Sequence, residues 1–329
     1  MATMYVTEQG ARVEKEYQRL LVTKDDEVLL RAPLSRVSHV VLVGNVGVTT
    51  PALLALLEAD VGLSLISRSG QLRGRLMPPT GKNIPLRQQQ YQRAQDPAFC
   101  LEVARAIVIG KVRNQRTLAR RIVLAHPSIG TSGIEAMAAA IRSAERCQGL
   151  GGLRGAEGQA ARAYFDILRQ ALPEPWRAPR RQRRPPPDPM NALQSLGYTL
   201  LTQNLMAACE VVGLDPYDGF FHADKYGRPA LALDLVEEFR SVIVDSVLLT
   251  VANKGILGVD DFDQAEGRAS LTPRGLRVFL QQYSHRLNTR VQHPAAGRAL
   301  TYQQCFEVQA RALAKAIGGE SPYLPLRTR

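Results

Sequence analysis

Pro78-Pro-Thr-Gly-Lys-Asn-Ile-Pro85 separates two hydrophobic periodicities, and that break decides the fold. Before it, apolar residues alternate in short runs; from about Arg87 onward they recur with the 3.6-residue period of helices. Prolines and a glycine packed into so few positions disfavour both helix and strand, so the segment reads as a linker. The expectation is an α+β protein: a small N-terminal β-rich domain over 1–80, a linker at 81–90, and a larger all-α domain over 91–329.

Working outward, Tyr5 to Glu8, Ala11 to Glu16 and Arg19 to Thr23 read as strands, with turn signals at Glu8-Gln9-Gly10 and Lys24-Asp25-Asp26. Val28 to Arg31, Val40 to Val43 and Val61 to Ile66 follow. Ser69-Gly70 is expected to turn a hairpin of Leu63 to Ser67 against Gln71 to Leu76. Thr50-Pro51 opens a helix to about Ala59, with Thr50 as N-cap and proline at the first helical position.

A chain of 329 residues, 45% hydrophobic, can bury a sizeable core, and its net charge of +12 favours a polyanionic partner. The apolar stretch Val40 to Ile66 is broken by Asn45, Thr49, Thr50, Glu58 and Asp60, so no membrane span is expected. The N-terminus lacks a basic segment leading into an apolar one, and the reading is a cytoplasmic protein. Cys100, Cys147, Cys209 and Cys305 lie too far apart for a CxxC site and suggest neither zinc nor a disulfide framework.

Chemistry is concentrated in three segments. On a helix expected from Pro229 to about Asn253, Asp234, Glu237, Glu238, Ser241 and Asp245 share one stripe, with apolar residues elsewhere. Such a stripe is ordinarily a solvated face, yet like charges a turn apart destabilise a helix, and four carboxylates without a basic residue among them suggest a cation. His222, in Gly219-Phe-Phe-His-Ala-Asp-Lys-Tyr-Gly227, sits on a loop short enough to fold over that stripe. A lone histidine is more often a structural hydrogen-bonder. Glu157, in Gly155-Ala-Glu-Gly-Gln-Ala-Ala-Arg-Ala-Tyr-Phe165, is expected in the first turn of a helix, where the dipole alone would suit it. It stands in line with Ala161, Tyr164, Phe165 and Leu168, however, and so faces inward between two small glycines. A metal site of these residues, beside dense positive charge, suits phosphodiester chemistry.

The positive charge is in Arg177-Ala-Pro-Arg-Arg-Gln-Arg-Arg-Pro-Pro-Pro-Asp188, where prolines exclude a helix. Arg180, Arg181, Arg183 and Arg184 form either a phosphate clamp or a soluble linker. A basic stripe of Arg105, Arg113, Arg116 and Arg120 is expected on a helix from about Ala104 to Leu124, opposite Ile107, Leu118 and Ile122. Arg240, one turn beyond Glu237, is placed for a phosphate in the site.

Taken in order, Lys111-Val-Arg-Asn-Gln-Arg-Thr-Leu118, the Glu157 segment, Arg184-Pro-Pro-Pro-Asp-Pro-Met-Asn-Ala-Leu-Gln-Ser-Leu-Gly-Tyr-Thr-Leu-Leu201, the His222 loop and Leu231-Ala-Leu-Asp-Leu-Val-Glu-Glu-Phe-Arg240 resemble the CRISPR-associated integrases of spacer acquisition. The resemblance spans nearly the whole chain. It implies an N-terminal β domain that dimerises and a helical catalytic domain whose metal ligands map onto Glu157, His222 and Glu237. Some relatives carry aspartate at the third place, so Asp234 is a further candidate ligand. The resemblance also implies Mg2+ or Mn2+ and a homodimer. The partners would be double-stranded DNA, as prespacer and CRISPR repeat, and a small second adaptation protein bridging two dimers. The activity implied is endonucleolytic cleavage and insertion of short fragments by transesterification from a 3′-hydroxyl. A non-catalytic DNA-binding scaffold and a metal-dependent RNA nuclease are the alternatives the residues leave open.

Overall fold

The computed structural model describes residues 2–68, 71–77, 83–177, 182, 186–222, 225–265 and 267–328. The turn at Ser69-Gly70, residues 78–82, and Arg180, Arg181, Arg183 and Arg184 lie outside the described residues.

The N-terminal region runs β1 (Ala2–Val6), β2 (Arg12–Glu16), β3 (Arg19–Lys24), β4 (Glu27–Pro33), β5 (Val37–Val43), β6 (Gly47–Val48), α1 (Thr50–Glu58), β7 (Gly62–Ile66) and β8 (Leu72–Leu76). These strands form two four-stranded sheets, ordered β1-β5-β7-β8 and β4-β3-β2-β6. The anticipated hairpin is there: β7 pairs antiparallel with β8, Leu63 opposite Leu76. Alternation explains the layering. On β5, Val40 and Leu42 point into a core between the sheets, whereas Val41 and Val43 join the core of the helical region.

Three details depart from the expected pattern. The first strand begins at Ala2 instead of Tyr5, because Ala2 to Val6 pair in parallel with β5, a distant partner that leaves no local signal. The α1 cap is Thr49, not Thr50: its extended backbone lets the hydroxyl accept from Ala52 N. The two-residue β6 is too short to show a period.

The second region is mostly, not wholly, helical. Its helices are α2 (Ile84–Ala94), α3 (Pro97–Ala125), α4 (Ser132–Arg146), α5 (Leu150–Gln170), α6 (Pro189–Val212), α7 (Ala230–Phe239) and α8 (Ser246–Asn253). Two small hairpins interrupt the later helices: β9 (Phe262–Ala265) with β10 (Arg268–Leu271), then, after α9 (Pro273–Leu287), β11 (Arg290–His293) with β12 (Arg298–Thr301). α10 (Tyr302–Ile317) follows. This corrects the expectation of an all-α region over 91–329. Strands of four residues give too few alternations to read as strands in sequence.

The long α3 starts where Asp96 caps it, accepting from Ala98 N and Phe99 N, with Pro97 at the first position. Its buried side, from Cys100 through Val103, Ile107 and Val108 to Lys111, packs on α5 and α7. Between α7 and α8 the chain makes a π-helical stretch, Arg240–Asp245, so the helix expected from Pro229 to Asn253 is continuous but changes pitch midway. The two regions are joined by the shared core and by a bidentate ion pair, Arg75 to Glu210 at 2.7 and 3.1 Å.

Candidate metal centre

Glu157 arrives from α5, Glu237 from α7 and His222 from the loop before α7. A fourth group, not anticipated among the site residues, stands between them. The Lys111 ammonium, on α3, donates to Glu157 Oε1 and lies 2.6 Å from Glu237 Oε2. His222 Nε2 is 3.7 Å from Glu237 Oε1, and an Arg240 guanidinium nitrogen is 3.0 Å from the same oxygen. Arg240 also lies over the Tyr198 ring of α6, 4.8 Å from its centroid. The only hint of Lys111 in the sequence was its place in the Lys111-to-Leu118 segment; a lysine on the apolar side of a helix needs a buried acid to face.

Asp234 has a distinct task. Its Oδ2 accepts from the backbone of Phe220 and Phe221 at 2.7 and 3.0 Å. Its Oδ1 accepts from His222 N at 2.9 Å and lies 2.7 Å from His222 Nδ1. One carboxylate thus folds the loop, and the Nδ1 contact turns Nε2 toward Glu237. Gly219 permits this closeness, since a Cβ there would come within 2.9 Å of Asp234 Oδ2.

The acidic stripe is not a solvated face: Asp234, Glu237, Glu238, Ser241 and Asp245 are all buried. Nor do its carboxylates converge. Glu238 turns to the C-terminal segment, accepting from Tyr323 Oη, Leu326 N and Gln309 Nε2. Burial pushes the Glu238 carboxyl up to about 7 against those hydrogen bonds. Asp245, beyond the π stretch, accepts from Tyr164, Tyr198 and Gln194 at 2.7, 2.6 and 3.0 Å. Only Glu237 faces the site.

Burial alone would raise the Glu237 carboxyl, but Arg240, Lys111 and His222 outweigh it and hold the group down to about 2. It is a carboxylate at any working pH. Its Oε2 is nevertheless buried without a well-aligned hydrogen bond, and the same holds for Arg240 Nε and Ser241 Oγ beside it. Among the described residues no three His, Cys, Asp or Glu are drawn close enough to enclose a metal as they stand. The donor set itself, two carboxylates and an imidazole around a poorly satisfied oxygen, suits a divalent cation, and the ammonium marks where positive charge is needed.

Glu157 lies two turns into α5, not in its first turn, because the helix begins at Leu150. Leu153 and Ala156 are buried, and that packing overrides the poor helix propensity of the nearby glycines. Tyr164 and Leu168, in line with Glu157, are fully buried as expected. A Cβ on Gly155 or Gly158 would meet nothing within 4 Å, which leaves open space on both sides of the carboxylate.

The basic stripe on α3 is divided. Arg105 donates to Cys147 O at 2.7 Å, and Arg113 pairs with Glu145 at 3.6 Å, both holding α3 to the end of α4. Burial lowers the Arg116 guanidinium, and Arg120 and Arg142 lower it further, so these arginines form a patch of mutually repelling charge. Arg177 folds back on its own neighbours, donating to Leu172 O and pairing with Glu174.

The family described as CRISPR associated protein Cas1 matches residues 4–285. The chain belongs to the Cas1 family. Among its relatives is the CRISPR-associated endonuclease Cas1 3 of Thermus thermophilus, 41% identical over 333 aligned residues that cover 100% of this chain and 98% of the relative. A casposase bound to integration product superposes with a TM-score of 0.87 at 23% identity, covering 99% of this chain and 93% of that one, a likeness of fold. A Cas6-RT-Cas1–Cas2 complex contains a chain that matches with a TM-score of 0.83 at 26% identity, over 99% of this chain and 36% of that one. The resemblance read from the ordered motifs therefore holds, as does the order of strand-rich and helical regions in the Cas1 fold. Among the described residues no helix is long and apolar enough to cross a membrane.

Proposed function

We propose that this Cas1-family protein is a metal-dependent DNA endonuclease and integrase of CRISPR adaptation, inserting short DNA fragments into the CRISPR array from a 3′-hydroxyl. The observation that carries this reading is the bridge Lys111 makes between Glu157 and Glu237, with His222 and Arg240 against Glu237. Those three residues would hold Mg2+ or Mn2+, and the bound cation supplies charge stabilisation at the scissile phosphate. Asp234 orients His222 by accepting at Nδ1, which leaves Nε2 to face the site. Arg240, already against Glu237, presents a guanidinium to a phosphate in the same space. Lys111 balances the two carboxylates, so that the centre stays assembled before a substrate arrives.

The division at 81–90, into a dimerising β-rich domain over 1–80 and a catalytic domain over 91–329, belongs to the same reading. So do a homodimer, a cytoplasmic setting, prespacer and repeat DNA as substrates, and a small second adaptation protein bridging two dimers. The relative found in a complex with Cas2 supports that partner. Arg116 and Arg120, together with Arg113 and the segment of Arg180, Arg181, Arg183 and Arg184, are assigned to the DNA backbone, which they would hold without reading bases.

The test is strand transfer of a labelled short duplex with free 3′-hydroxyls into a supercoiled plasmid carrying a CRISPR repeat, with and without the second protein. Joined product is expected with Mn2+ and none with EDTA. Binding without joining or cutting under any condition would favour the scaffold, and RNA outcompeting branched DNA would favour the RNA nuclease.

Gly219→Ala probes the second layer of the site. The added Cβ would sit 2.8 Å from the Ala230 carbonyl carbon and 2.9 Å from Asp234 Oδ2, so the carboxylate must move and release the His222 loop. Mn2+ affinity, read by titration calorimetry, is expected to fall by roughly 10- to 100-fold, as for other lost orienting partners of a metal-binding histidine. An unchanged affinity would show that Asp234 does not orient the ligand.

A further inference from the structure

A cavity of about 620 Å3 opens elsewhere on the helical region, and none of Glu157, His222, Glu237 or Arg240 lines it. Val242 and Ser246, from the π stretch and the start of α8, are part of its lining. Four arginines converge on it from separate parts of the chain: Arg121 of α3, Arg286 of α9, Arg290 of β11 and Arg327 of the C-terminal segment. No aspartate or glutamate is among the described residues lining it.

Two of these arginines are held in place. Arg286 donates through Nε to Val242 O at 2.7 Å, reaches Tyr302 Oη at 3.3 Å, and lies over the Tyr302 ring. The backbone on both sides of Arg327 is clamped by Asn114, which donates to Leu326 O at 2.9 Å and accepts from Thr328 N at 2.9 Å. Burial lowers the Arg286 guanidinium and Arg121 lowers it further; Arg327 is lowered by burial and by Arg113. Among the described residues no lining carboxylate stands against Arg286, Arg290 and Arg327, and an anion seated here would offset their like charge. Guanidinium groups drawn from four separate parts of the chain, with Thr117, Thr289 and Thr328 also in the lining, suit the spaced phosphates of a polymer.

We propose that this cavity is a second phosphate-binding site, which holds the backbone of nucleic acid away from the reacting centre. The assignment rests on the reading of the protein as one that acts on DNA. A strand seated here would be anchored by the back of the same helix that carries Glu237, with Asn114 linking the two sides through Glu238 O at 2.9 Å.

The test uses the full chain and a fluorescein-labelled duplex, with binding followed by anisotropy across a salt series. The variant is Arg290→Gln/Arg327→Gln, with Arg290→Gln alone as a milder second. The control is Arg31→Gln/Arg311→Gln, which removes the same net charge from exposed positions outside the cavity. Each cavity arginine lost is expected to lower the slope of log K against log salt by about 1, and to weaken binding similarly for unrelated sequences. A variant that matches the control in affinity and slope overturns the proposal. Separate arms with inorganic phosphate and a mononucleotide distinguish a free ligand. Thermal stabilisation by either that is lost in the variant, with DNA binding unchanged, would overturn the nucleic-acid assignment. A parent protein that binds no duplex at all would instead sink the DNA reading itself.

Discussion

Glu157→Ala is expected to lower strand transfer and cleavage by roughly a thousandfold or more, which corresponds to about 4 kcal/mol of transition-state stabilisation. Duplex binding should stay within about twofold of the parent, since the backbone contacts lie elsewhere. The fold has little reason to fail. Alanine is the best helix former, Glu157 is in mid-α5, and its side chain retains 22% of its exposure, so no tightly packed volume is lost. Lys111 would keep its ion pair with Glu237 at 2.6 Å and hold that carboxylate in place. What disappears is one of the three proposed donors to the cation. Joining at the parent rate by a folded Glu157→Ala protein would remove Glu157 from the centre and leave the proposed mechanism without its ligand set.

The candidate ligands stand out in the sequence more clearly than their surroundings do. Glu157, His222 and Glu237 draw attention because a carboxylate in line with an apolar face, or a histidine in a short loop ahead of an acidic helix, conflicts with its local pattern. The acidic stripe was misleading in a physically instructive way. Residues at helical spacing share a face only while the pitch is constant, and the π stretch at Arg240–Asp245 falls among them. Burial did the rest: Asp234, Glu238 and Asp245 each found separate donors, from the His222 loop, the C-terminal segment and the two tyrosines. Of those partners only the His222 loop, 12 to 14 residues away, is near in sequence. Lys111 was hidden for the same reason, because its role depends on two acids from other helices. The basic stripe on α3 looked uniform, yet Arg105 and Arg113 also reach the end of α4, a contact no single-helix pattern contains.

Lys111→Met separates the electrostatic role of that ammonium from its bulk. Methionine fills most of the same space, so packing on α3 should survive. Glu157 and Glu237 would lose their shared cation, and Glu237 would keep only Arg240 at 3.0 Å and His222 at 3.7 Å. Removing one member of a buried ion pair costs about 3–5 kcal/mol, and the partial exposure of Glu157 places the loss toward the lower end. In EDTA the variant should therefore melt several degrees below the parent. The pH dependence sharpens the expectation. Glu237 is held down to about 2, below the ordinary carboxylate range. Its contribution to stability is thus present above that ordinary range and is lost as pH falls toward 2. With Lys111 gone its folded value rises, so acid should have less stability left to remove from the variant. A divalent cation reverses the ranking at the site: it competes with the ammonium in the parent but meets no competitor in Lys111→Met. Saturating Mn2+ should raise the variant's melting temperature more than the parent's and close most of the gap, with tighter binding by calorimetry. If Mn2+ shifts both proteins equally, the ammonium and the metal do not share the space between Glu157 and Glu237, and the centre must assemble around other oxygens.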